Sequence, residues 1–318
     1  MKQFVFPLAA VLLLSCAQSP ASAQESQKEK DRAEHNRQKK EEQKERMKDK
    51  YPASFKEHIS KQYSLQQAGS SMVTIYNLEG SIKVEGYAGD KVLIEADKTI
   101  FAKDNETLEQ GKKEVKVGFE QIGDSIVVYL QEPWDTRPHD WSDRDNWDDR
   151  RRIEYRCALE FTVKVPFNAN IRVSTVNNGD IDVKDVAGNL RVNNVNGSIA
   201  IMNAKGTTHA KTVNGDLTVN YTTNPPQASS FYTLNGKLTA TFQPNLSADL
   251  QFKSMNGAFY TDFPDAELLP ASTTKNVEKK GDGLIYKLNK DTQLRIGSGT
   301  NKLKFETLNG NIYIKKQS

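Results

Sequence analysis

From Met72 onward, apolar and polar residues alternate with a period of two in short runs divided by turn signals. Met72-Val73-Thr74-Ile75-Tyr76, Ser81-Ile82-Lys83-Val84, Val92-Leu93-Ile94-Glu95-Ala96, Ile126-Val127-Val128-Tyr129-Leu130 and Tyr155 to Val165 read as strands. A short helix is predicted near Glu106 to Lys113. Cys157 lies inside the alternating run Ile153 to Val165, which makes it a packed strand residue rather than a reactive thiol.

A second pattern begins at Ile171. Glycines fall at 179, 188, 197, 206 and 215, a step of nine, and every second one follows an asparagine. The pairs are Asn178-Gly179, Asn196-Gly197, Asn214-Gly215, Asn235-Gly236, Asn256-Gly257 and Asn309-Gly310, at spacings of 18, 18, 21, 21 and 53. Two positions beyond each glycine sit Ile181, Ile199, Leu217, Leu238, Phe259 and Ile312. Half a period holds a strand and a turn, where glycine supplies positive φ and asparagine tolerates it. Regular recurrence at this length argues for stacked coils, about 4.8 Å apart, rather than isolated hairpins. The expected fold is therefore all-β: a single-chain, right-handed β-helix-like solenoid with a coil period of 18–21. Its Ile/Leu/Phe column would form the core, and its asparagines would hydrogen-bond along the stack. The 53-residue interval leaves room for more than one coil or for an excursion.

These repeats resemble a bacterial family of adhesin-like domains of unknown function whose members carry T/N-x-N-G-x-I repeats. The resemblance covers roughly Thr74 to Lys315. It rests chiefly on Ser174-Thr175-Val176-Asn177-Asn178-Gly179-Asp180-Ile181 and on the closing segment from Gly297 to Ile312. It implies a secreted or envelope-attached β-solenoid and brings no catalytic residues with it.

The N-terminal part has a different character. Lys2, the apolar run Phe4 to Leu14 and the small residues after it form a secretory signal over residues 1–23. Leu13-Leu14-Ser15-Cys16 has the form of a bacterial lipobox, with Cys16 as the lipidation candidate, while Ala21-Ser22-Ala23 offers an ordinary cleavage site. The expected location is a periplasmic or outer-membrane-associated lipoprotein, or a protein at the cell surface or secreted. Residues 24–62 read as a charged stalk or linker. Glu25 to Lys50 holds 10 basic and 8 acidic residues, too little apolar surface to dock. A solvated helix about 40 Å long and a disordered tether both fit. Residues 63–168 form an N-terminal β part, and 169–318 carry the repeats.

Within the β part, a polar loop over 131–152 holds Trp134, Trp141 and Trp147 with Asp140, Asp143 and Asp145. Aromatics beside carboxylates on a long loop form the candidate binding surface, for a glycan or an envelope protein. The loop lacks the sixth-position Gly and the twelfth-position Glu of an EF-hand, so no metal is expected there. Asp180 and Asp216 follow Asn-Gly pairs two coils apart. That places them about 10 Å from each other, near the separation of an inverting carboxylate pair.

Composition trims the remaining options. Two Cys and four His give neither a disulfide scaffold nor a structural zinc site, and no cofactor is expected. A formal charge of +3 on an exported chain argues against nucleic acid. The 36% apolar content is thin for 318 residues but suits a core only a column wide. The sequence thus points to a non-catalytic, adhesin-like envelope protein. The alternatives are a carbohydrate-binding or carbohydrate-active β-helix protein using the Trp/Asp loop or Asp180 and Asp216, and an envelope-stress accessory protein.

Overall fold

The computed structural model describes residues 50–133, 135–138, 153–280 and 283–317. They build two large mixed β-sheets over a shared apolar core. In spatial order, the first sheet contains β1 (Ala53–Ser64), β4 (Lys91–Ala102), β7 (Tyr155–Pro166), β3 (Ile82–Tyr87), β9 (Ile181–Lys184), β11 (Ile199–Ala204), β13 (Leu217–Tyr221), β15 (Leu238–Phe242), β21 (Ile312–Lys316) and β17 (Phe259–Thr261). The second contains β18 (Glu267–Lys280), β19 (Gly283–Ile296), β16 (Ala248–Asn256), β20 (Asn301–Asn309), β14 (Ser229–Asn235), β12 (Thr208–Asn214), β10 (Leu190–Asn194), β8 (Asn170–Thr175), β2 (Met72–Tyr76), β6 (Ser125–Glu132) and β5 (Lys116–Ile122). One helix, α1 (Asn105–Glu114), starts where the Asp104 carboxylate accepts the Thr107 N–H, and it buries Leu108 and Gly111.

The expected single-chain solenoid is not what forms; the architecture is a sandwich of two mixed sheets. Antiparallel pairs close both ends, joining β1 to β4 and β4 to β7, β5 to β6, and β16 to β19 and β19 to β18. Chain order is also broken. The late strand β20 lies between β14 and β16, and β21 lies between β15 and β17. At the other end β2 sits between β6 and β8, and β3 between β7 and β9. The repeat step fixes how one strand registers on its neighbour, as in Ile181↔Ile199↔Leu217↔Leu238. It does not fix which strand the neighbour is, because every corner carries the same complementary groups. The 53-residue interval holds the β18–β19 hairpin, an excursion from which the chain returns to pair between strands already laid down.

The alternation read from sequence does set the core. In the first sheet Ile82, Ile181, Ile199, Leu217, Leu238 and Ile312 lie in one buried row. In the second, Val128, Ile75, Val173, Val192, Ala210, Phe231, Phe305 and Phe252 form a facing row. Phe231 and Phe252 stack on either side of Phe305, at centroid distances of 5.1 and 5.4 Å. Strand β1 begins inside the 24–62 segment assigned to the stalk and packs Phe55, Ile59 and Tyr63 on the core. Cys157 is buried in β7.

One corner of the sandwich explains the Asn-Gly motif. A Cβ on Gly197 would fall on the Gly179 carbonyl, one on Gly215 on the Gly197 carbonyl, and one on Gly236 on the Gly215 carbonyl. These glycines serve close backbone approach, not the positive φ expected of them, since none of the three adopts it. Four carbonyls in the column are each met by a buried side chain from the second sheet. Thr175 donates to Gly80 O at 2.9 Å, Asn194 to Gly179 O at 2.9 Å, Thr212 to Gly197 O at 2.8 Å and Thr233 to Gly215 O at 2.8 Å. Outside them runs a continuous amide ladder in which Asn196 donates to Asn177, Asn214 to Asn196, Asn235 to Asn214, Asn309 to Asn235 and Asn256 to Asn309, at 2.7–2.9 Å. The first rung is Asn177, not Asn178 as the Asn-Gly pairing predicted. This repeat has one extra residue, which Asn178 absorbs at φ 55 while its amide donates to Glu79.

Gly215→Ala is expected to destabilise the fold by about 1–3 kcal/mol through overpacking against rigid backbone. Gly69→Ala, where a Cβ meets nothing within 4 Å, leaves stability essentially unchanged. Thermal melts of the two variants beside the parent check the contrast.

Candidate functional site

Because inward positions alternate with outward ones, the row that buries Val173, Val192, Ala210, Phe231 and Phe305 also aims its neighbours at solvent. One residue earlier on each strand, Arg172, Arg191, His209, Ser230, Lys304 and Gln251 stand side by side across β8, β10, β12, β14, β20 and β16. Arg191, His209 and Lys304 are exposed, and the other three are half-buried. Beside this row run Asn193, Lys211, Tyr232, Glu306 and Lys253, with the Lys211 ammonium 5.1 Å from the Tyr232 ring centroid. The parallel ladders hold successive side chains about 4.8 Å apart.

The electrostatics of this face are one-sided. Arg172 and Arg191 are directly opposite each other, and like charges so placed repel. Among the described residues neither makes an ion pair. Burial first, and then the Arg191 charge, hold the His209 imidazole below its ordinary range. Two carboxylates are present, both already engaged. Burial works against ionisation of Glu306, but Lys253 at 3.2 Å and Lys304 at 3.3 Å outweigh it and hold its pKa low. Asp249 makes a bidentate pair with Arg295 at 2.7 and 2.8 Å. A depression of about 380 Å³ opens on this face, lined by His209, Ser230, Asp249, Gln251, Lys302 and Lys304 among others. A larger hollow of about 590 Å³ lies between loops near Leu65, Tyr87 and Phe167; its lining contains one carboxylate, Asp90, and no cation. The face on the second sheet is therefore the better-equipped site.

The residues singled out from sequence are distributed differently. Asp180 and Asp216 precede β9 and β13. Their Oδ1 atoms accept the backbone N–H groups of Ser198 and Lys237 at 2.8 and 2.7 Å, tying each corner to the next strand. The asparagines and glycines of the repeat build the corner. Cys16, Trp134, Trp141, Trp147, Asp140, Asp143 and Asp145 lie outside the described residues. Among the described residues no group of three His, Cys, Asp or Glu side chains could hold a metal ion. The Arg172–Lys304 row was missed because each member is a lone polar residue in its own strand. The signal was available, since Arg172, Arg191, His209 and Ser230 recur at the same interval of 18–21 as the glycines.

Two further groups are shifted from their ordinary chemistry. Hydrogen bonds to Asp97 and Glu95 raise His58, with its Nδ1 2.7 Å from Asp97 and its Nε2 2.7 Å from Glu95 on β4. Burial pushes the Cys157 thiol up to about 12, which keeps it from forming a thiolate.

No protein-family model and no curated protein matches the chain. Solved structures with some likeness include a candidate cell adhesion protein from Clostridium sporogenes, with a TM-score of 0.42 and 10% identity over 83% of this chain and 100% of that one. A candidate adhesin from Bacteroides fragilis has a TM-score of 0.25 and 10% identity, covering 81% and 97%. A candidate lipid-binding protein from Parabacteroides distasonis has a TM-score of 0.25 and 8% identity, covering 82% and 97%. Likenesses of this size assign neither a family nor a ligand.

NMR titration is expected to place the His58 midpoint above 6.5 and the His209 midpoint below it, with Asp97→Asn returning His58 towards 6.5. Because folding raises His58, its favourable contribution is present at low pH and fades as pH rises through its folded value. Folding lowers His209, so that residue instead costs stability as pH falls below 6.5. In native protein Cys157 is expected to resist thiol reagents at neutral pH and to react fully once the chain is unfolded.

Proposed function

We propose that this is an exported, non-catalytic protein of the bacterial cell envelope that presents a sheet face to another envelope component. The observation that carries the reading is the in-register row of outward side chains on the second sheet, Arg172, Arg191, His209, Ser230 and Lys304. Recognition by a broad, rigid array suits an extended or polymeric partner better than a small metabolite. The carboxylates that a glycosidase reading would require, Asp180 and Asp216, both accept hydrogen bonds from backbone N–H groups of neighbouring strands. Export rests on the signal-like residues 1–23, and membrane anchoring rests on Cys16 in the lipobox pattern.

Two measurements test this. Purified protein should be retained by isolated cell-envelope material without releasing reducing sugars from it. Sugar release that disappears in Asp180→Asn and Asp216→Asn would overturn the non-catalytic reading. In cells, Cys16→Ser should move the protein from the membrane fraction to the soluble one, and unchanged fractionation would remove the lipid anchor from the proposal.

A further inference from the structure

We infer that the partner of the second sheet's outer face is an anionic linear polysaccharide lying across the strands, with Arg172, Arg191 and Lys304 meeting its charges. This rests on the binding-face reading above and adds the chemistry of the occupant. The row runs from Arg172 on β8 to Lys304 on β20 over five adjacent strands, a span of about 19 Å at the usual strand spacing. A linear polymer perpendicular to the strands meets one cationic or hydrogen-bonding side chain at every step.

Three observations select this class. The first is unrelieved repulsion. Arg172 faces Arg191 with no ion pair to either among the described residues, and Arg191 in turn disfavours a proton on His209 beside it. A bound polyanion supplies the missing countercharge to both arginines. The second is the presence of neutral hydrogen-bonding groups beside the cations, as hydroxyl-rich chains require: Ser230 precedes Lys304 in the row, Gln251 follows it, and Asn193 stands in the adjacent row. The third is what the face does not offer other anions. Over β8, β10, β12, β14, β20 and β16, Tyr232 is the one large aromatic pointing outward, and Lys211 already lies over it. Single-stranded nucleic acid needs a succession of such stacking platforms. An anionic membrane needs apolar side chains to insert, and the outward ones on these strands, Val213, Leu234, Leu308 and Met255, lie two rows away at the Asn-Gly corner rather than among the cations.

The test measures binding of the full chain to polygalacturonate and to dextran sulfate, with neutral dextran, a single-stranded oligodeoxynucleotide and phosphatidylglycerol vesicles alongside. The two acidic polysaccharides should bind and neutral dextran should not. Binding should be lost at about 1 M salt, where the screening length falls to about 3 Å. Replacing both Arg172→Gln and Arg191→Gln should weaken binding about tenfold or more, since two charge-assisted contacts are removed. The same double variant should melt no lower than the parent, because it relieves repulsion. Lys83→Gln with Lys315→Gln removes the same charge from the outer face of the first sheet and should leave binding unchanged. Equal loss in both double variants would reduce the effect to net charge and overturn the site. Stronger binding to the oligodeoxynucleotide or to vesicles than to either polysaccharide would overturn the partner class. If envelope material is retained equally by parent and arginine variant, the display function stands and this inference fails. If nothing is retained at all, the display function fails with it.

Discussion

Everything in the repeat region depends on how a glycine carbonyl is received at one corner of the sandwich. The carbonyls of Gly80, Gly179, Gly197 and Gly215 point along the stack into the next strand's turn, where any Cβ would collide with them. Once packed there they are shut off from water, and an unpaired buried carbonyl is costly. Thr175, Asn194, Thr212 and Thr233 satisfy them from inside the core, at the positions where a purely apolar strand would have placed valine. The asparagine two residues further on seals the outside with the amide ladder. A three-position unit, a small polar residue, an asparagine and a glycine, thus makes each corner self-complementary along the stack.

That self-complementarity explains both what could be read from the chain and what could not. The strands β2, β3, β4, β6 and β7, the helix near residue 106 and the Ile181–Ile312 column follow from alternation and from the 18–21 interval, which are local or regularly spaced signals, whereas β1, β5, β18 and β19 were not read from them. The neighbour order does not follow, since a corner that fits every other corner says nothing about which ones meet. The glycines were visible but their role was misassigned. Asn-Gly ordinarily signals a positive φ, whereas here the demand on glycine comes from a backbone more than fifteen residues away. Asn178 was misplaced for a similar reason: one inserted residue shifts the ladder to Asn177 without disturbing the spacing of the glycines.

The candidate site was hidden by the same division between local and stacked information. Arg172 alone is an ordinary outward residue on a half-buried strand, as are Arg191 and Lys304. They become a surface only when five strands are aligned, and one of the five, β20, comes from a distant part of the chain. Asp180 and Asp216 show the converse. Their matching positions attracted attention as paired chemistry, yet matching positions in stacked corners arise from shared structural duty, here the acceptance of a neighbouring N–H.

The placement of β20 and β21 has a consequence for how the molecule is made. Strands β14 and β16 never touch as direct neighbours; they are joined through β20, which pairs with both, and Asn309 likewise bridges Asn235 and Asn256 in the ladder. Strand β20, later in the chain than either, is therefore the keystone of an arch whose two sides were laid earlier. Until it arrives, β14 and β16 each present an open strand edge, and β15 and β17 do the same in the other sheet. Assembly cannot finish by zipping along the chain from one end, because the closing contacts join residues more than fifty positions apart. The stack is completed from its middle, and losing the final two strands would leave a gap inside it rather than a shorter stack.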